Sequence, residues 1–64
     1  MKEAWTGRLV GKMHVNDVTY EELGKEMGIC KGYVAQILNG YRKPKDARKR
    51  METALDAILE RRQA

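Results

Sequence analysis

Three residues, Gly28-Ile29-Cys30, separate two stretches of helical periodicity, and no other feature limits the fold of this chain as strongly. A connection that short forces the two helices to cross steeply. Small residues are then needed where they touch. Gly24 supplies one in the leading helix, Gly28 supplies the turn, and Ile29, Val34 and Ile37 fill the corner. The leading helix starts at Thr19. Thr19-Tyr20-Glu21-Glu22 has the form of a capping box, in which the threonine hydroxyl caps an early N–H and Glu22 reaches back. Leu23 and Met27 face inward. The second helix starts near Cys30 and ends at Asn39-Gly40, where glycine accepts the left-handed conformation.

The rest of the chain reads as helix too, since no stretch alternates apolar and polar residues long enough for a strand. A first helix is expected from Lys2 to His14, with Trp5, Leu9 and Met13 forming one apolar stripe. Gly7 and Gly11 each cost it about 1 kcal/mol relative to alanine, so packing must hold it. Asn16-Asp17 breaks the pattern. A last helix is expected with Pro44 at its first position and Asp46 in its first turn. It continues to Arg62, with Ala47, Met51, Ala54, Leu55, Ile58 and Leu59 on its apolar face. The expectation is a single all-α domain over residues 1–64, a bundle of four to five helices with a long C-terminal helix.

Composition narrows the function. A chain of 64 residues buries only about 60% of its unfolded surface, which leaves no room for a large enclosed active site. There is no serine, one cysteine (Cys30) and one histidine (His14), so serine hydrolase chemistry is excluded. Zinc has no cysteine–histidine cluster to bind, and a Cys30/His14 dyad has no orienting third group. The chain is not expected to be an enzyme or to use a cofactor, metal or small-molecule ligand. No apolar run exceeds three residues, so neither a membrane span nor a signal peptide is expected and a cytoplasmic location is.

Charge points to a partner. Residues 31–50 hold Lys31, Arg42, Lys43, Lys45, Arg48, Lys49 and Arg50 against Asp46 alone, a balance of +6 within a net charge of +4. The remaining residues carry six basic and eight acidic side chains, a balance of −2. Such concentration favours a polyanion. A membrane surface would call for a Trp/Leu-rich face beside the cations, and none is there.

Residues Thr19 to Pro44 together resemble the helix-turn-helix of the Xre/Cro family, the lambda-repressor-like fold. The resemblance rests on Glu22-Leu23-Gly24, Gly28-Ile29, Val34 with Ile37, and Asn39-Gly40-Tyr41-Arg42-Lys43-Pro44. Two departures stand out. Tyr20 occupies a position where the family usually has glutamine, and its hydroxyl is suited to a phosphate. One unbroken helix follows the motif where the family commonly has two short ones. The resemblance implies a small Cro-like or repressor-like regulator that reads double-stranded DNA, acting as a homodimer on two half-sites. With no sensor domain expected, control would be by abundance.

The residues themselves suggest how such reading would work. With Val34 and Ile37 buried, Gly32, Ala35, Gln36 and Asn39 fall on the opposite side of their helix at about 100° per residue, with Lys31 and Tyr33 at the flanks. Gly and Ala make this face slim enough to enter a major groove about 12 Å wide. Gln36 can pair with adenine, Lys31 can donate to guanine, and Ala35 or Tyr33 can touch a thymine methyl, so Lys31, Gly32, Tyr33, Ala35 and Gln36 are the expected base contacts. Tyr20, Asn39, Arg42, Lys43 and Lys45 are the expected phosphate contacts, which set register.

The remaining unusual residues have plainer readings. Cys30 is read as a weak helix cap in preference to a redox switch, His14 as a helix-end residue, and Trp5 as core. Leu38 is either packed against the last helix or part of a subunit contact, and Ile58 and Leu59 raise the same question. An alternative function is an antitoxin-like or accessory protein-interaction module on the same fold. It would need an exposed apolar patch around Trp5, Leu38 or Leu59.

Overall fold

A computed structural model describes residues 3–63, which form four α-helices and no strand. They are α1 (Ala4–Val15), α2 (Tyr20–Met27), α3 (Lys31–Leu38) and α4 (Ala47–Gln63). The expected start of the first helix at Lys2 lies outside the described residues. Helix α2 packs against α3 and α4, while α1 packs against α4 and α3. One core joins all four: Trp5, Leu9 and Met13 from α1, Leu23 from α2, Val34, Ile37 and Leu38 from α3, and Met51, Ala54, Leu55 and Ile58 from α4. Val18 and Ala47 complete it from just outside α2 and the start of α4.

The first three helices end in the same way. Each is closed by a left-handed residue, Asp17 (φ 55°), Gly28 (φ 77°) and Gly40 (φ 83°). In each case the N–H of that residue donates to the carbonyl three positions back, and the next N–H donates to the carbonyl five back. The second bond runs from Val18 to Met13 (2.8 Å), from Ile29 to Gly24 (2.8 Å) and from Tyr41 to Gln36 (2.9 Å). This paired closure satisfies carbonyls a helix end would otherwise leave free and fixes the exit direction of the chain. Asp17 adopts the conformation without being glycine, as aspartate does more readily than most residues.

The α2–α3 contact is as close as the sequence requires. A Cβ on Gly24 would stand 2.6 Å from the Ile29 carbonyl oxygen, 3.2 Å from Val34 Cγ2 and 3.4 Å from the Cys30 carbonyl carbon. By contrast, Gly7 and Gly11 face open space, so neither serves a helix contact.

Two expectations need correction. Pro44 is not the first residue of the last helix, and Asp46 is not in its first turn. Residues 44–47 form a separate turn closed by the Ala47 N–H on Pro44 O (3.2 Å), with Asp46 left-handed at φ 61°. That turn re-aims the chain so that Ala47, the first residue of α4, is buried against the core. The capping box is also only half formed. Thr19 Oγ1 accepts from the Glu22 N–H at 3.0 Å, but the Glu22 carboxylate accepts from Arg62 Nη2 at 2.7 Å instead of reaching back. The guanidinium of Arg62 also donates to the carbonyls of Asn16 and Asp17, so the end of α4 is tied to the α1–α2 turn.

Candidate nucleic-acid interface

Helix α3 is sided. Val34, Ile37 and Leu38 are buried, whereas Lys31, Gly32, Gln36 and Asn39 are exposed. Ala35 and Tyr33 are half-buried along the edges, and the Tyr33 ring leans on the core. The face expected from helical spacing therefore exists, but its free part is narrower, with Gly32, Gln36 and Asn39 at its centre and Lys31 exposed at its flank.

Both ends of α3 are set by the backbone. At its start Cys30 occupies the cap position in extended conformation, with no side-chain cap bond and an exposed thiol. At its end the Gln36 carbonyl accepts from the N–H groups of both Tyr41 (2.9 Å) and Arg42 (3.2 Å). The cationic turn is thereby pinned to the helix turn that carries the Gln36 side chain.

The phosphate candidates fall into separate groups. Tyr20 and Asn39 line one pocket of about 140 Å³ with Thr6, Gly7, Val10 and Leu38, which brings the start of α2 beside the end of α3. Tyr20 is half-buried against the core. One N–H of the Asn39 amide already donates to Ala35 O at 2.9 Å, so a second N–H is what it can still offer. Arg42 and Lys43 line a different pocket of about 260 Å³ with Ile37, Gly40 and Arg48. Lys45 is exposed in the turn before α4.

The cations divide into those that form ion pairs and those that do not. The ion pairs among the described residues engage Lys12 with Asp56, Arg48 with Glu52, Arg61 with Glu26 and Arg62 with Glu22. Lys31, Arg42, Lys43 and Lys45 take part in none of them, as is also true of Arg8, Lys25, Lys49 and Arg50, and Glu3 and Asp46 line the same pocket as Arg42 and Lys43. The Glu26 carboxyl is held below its ordinary range, first by its hydrogen bond from Arg61 and then by that group's charge, and the Arg61 guanidinium is raised in turn.

Tyr41 received no role from the sequence, yet it is 82% exposed at the head of the cationic turn. A signal was available. At the two earlier helix ends the N–H after the left-handed position donates to the carbonyl of Met13 or Gly24, while that of Tyr41 donates to the carbonyl of polar Gln36. Among the described residues no three His, Cys, Asp or Glu side chains are placed to hold a metal, and no helix is long and apolar enough to cross a membrane. Comparison with known protein families, curated proteins and solved structures found no match to this chain.

Proposed function

We propose that this protein is a sequence-specific double-stranded DNA-binding regulator of Cro-like or repressor-like type, with a lambda-repressor-like fold of the Xre/Cro family, and that α3 is its recognition helix. The observation that carries the reading is the exposed, slim face of Lys31, Gly32 and Gln36, backed by buried Val34 and Ile37 and followed in the chain by Arg42, Lys43 and Lys45, which form no ion pair among the described residues. Gly32 leaves the backbone free to approach base edges, and Gln36 offers a paired donor and acceptor suited to adenine. Lys31 donates to guanine, and the half-buried Ala35 and Tyr33 reach only bases at the margins. Arg42, Lys43, Lys45, Tyr20 and the remaining Asn39 N–H meet phosphates and fix register. A single short helix gives limited affinity, so the protein acts in the cytoplasm as a homodimer on half-sites about one helical turn apart.

The protein-interaction alternative loses its main support, because Trp5 and Leu38 are buried and Leu59 is partly buried. Selection of bound sequences from random duplex DNA tests the reading directly. Once a site is in hand, Gln36→Ala should cost roughly 1–3 kcal/mol and relax the preference at one base pair, while Lys43→Ala should weaken all sequences alike and lower the salt slope by about 1. Selection that enriches no sequence, or Gln36→Ala that binds as the parent does, refutes it. Sedimentation with and without duplex tests the dimer, which a strict monomer in both would remove.

A further inference from the structure

The three paired helix closures put Val18, Ile29 and Tyr41 in equivalent backbone positions. In such a turn the residue after the left-handed position usually packs back on the helix it follows. Val18 is 6% exposed and belongs to the core, and Ile29 is partly buried against it. Tyr41 is 82% exposed. The same backbone device thus anchors an apolar side chain twice and presents one outward the third time, with Arg42 and Lys43 following it.

Resting on the DNA-binding reading above, we infer that Tyr41 is a separate contact to the duplex, its ring lying on the sugars of the strand beside the bases that α3 reads. Three observations favour DNA as the occupant. The backbone N–H groups of Tyr41 and Arg42 donate to the Gln36 carbonyl, so the backbone that carries the ring is held at a fixed offset from the helix turn of the candidate base reader. Arg42, Lys43 and Lys45 make no ion pair among the described residues, so a strand drawn to them is brought against the ring. The same cations oppose a second copy docking by this face, since a symmetric contact would set like charges together. A tyrosine ring offers a large contact area with few rotatable bonds, and its contribution does not depend on counterion release.

The experiment compares the parent chain, Tyr41→Phe, Tyr41→Ala and Gln36→Ala by fluorescence anisotropy on the selected duplex, over a series of salt concentrations. Tyr41→Phe should bind within about twofold of the parent, because the ring and not the hydroxyl makes the contact. Tyr41→Ala should bind about tenfold more weakly, with unchanged salt slope and base preference. Its melting temperature should stay at the parent value, which separates a lost contact from a lost fold. Tyr41→Ala binding as the parent does, while Gln36→Ala alters base preference, overturns this inference and leaves the DNA reading standing. A change in self-association in place of DNA affinity overturns it as well, by making the ring an interface between copies. A parent chain that binds no duplex removes both.

Discussion

Replacing Gly24 by alanine should destabilise the protein, although the same substitution at Gly7 should stabilise it. Both glycines lie inside helices, and there alanine is favoured over glycine by about 1 kcal/mol. At Gly7 nothing stands within 4 Å of the added methyl, so the gain is realised. At Gly24 the methyl would be 2.6 Å from the Ile29 carbonyl oxygen, a backbone atom that no rotamer change can move. The Ile29 N–H is bonded to the Gly24 carbonyl at 2.8 Å, so the turn cannot retreat without weakening that bond. Forcing a methylene into a packed site costs about 1–3 kcal/mol, and the strained hydrogen bond adds about 1 kcal/mol. After the helix-propensity gain, Gly24→Ala should lose about 1–3 kcal/mol. In a domain this small each kcal/mol moves the melting temperature by about 4–8 °C, so the two variants should melt on opposite sides of the parent. Thermal unfolding followed by circular dichroism reads this directly. If Gly24→Ala melts with or above Gly7→Ala, the tight α2–α3 contact is not what shapes this fold.

Arg62→Ala should cost about 1 kcal/mol, more than Arg61→Ala, because Arg62 bonds two backbone carbonyls as well as Glu22 while Arg61 pairs only with Glu26 on an exposed surface; urea denaturation of the two variants would show this ordering or refute it. The Glu26 carboxyl is lowered from 4.5 in the folded state, so its contribution is present above that value and declines as pH falls through the lower folded pKa. Melting temperatures across an acid series should show Glu26→Gln less acid-sensitive than the parent, and parallel curves would exclude the pair as a source of the dependence. Gly32→Ala should be as stable as the parent or up to about 1 kcal/mol better, since its methyl meets only Cys30 Sγ at 4.0 Å, yet it should bind duplex more weakly by holding α3 off the bases. Tighter binding would mean that Gly32 does not face the groove.

Much of this structure was legible because its determinants are local. Thr19 caps the α2 N-terminus, Gly28 and Gly40 close helices through left-handed backbone, and Trp5, Leu9 and Met13 share one buried stripe. The role of Gly24 followed from the brevity of the connection alone. What escaped was set by contacts distant in sequence or by a choice local rules leave open. The Glu22 carboxylate could reach its own helix start or a cation, and the guanidinium of Arg62, 40 residues away, takes it. Pro44 suits a first helical position, but the turn that follows it buries Ala47, and core packing outweighs the local preference. The free part of the α3 face was overestimated at Ala35 because spacing assigns a direction without saying how far neighbouring elements extend, whereas Tyr33 lies at the flank where spacing put it.

The repeated helix closure helps to explain how so short a helix is held. An isolated eight-residue helix would be marginal in water. Helix α3 persists because Val34, Ile37 and Leu38 are buried and because the bonds at its end are made by backbone atoms. None of these supports uses the side chains of Lys31, Gly32 or Gln36. The exposed face can therefore change sequence with little effect on the fold, while the buried side and Gly24 cannot. That division of labour lets a domain with a small core alter its exposed face without losing the structure that presents it, and it places Tyr41 on the changeable side by exposure while its backbone belongs to the fixed one.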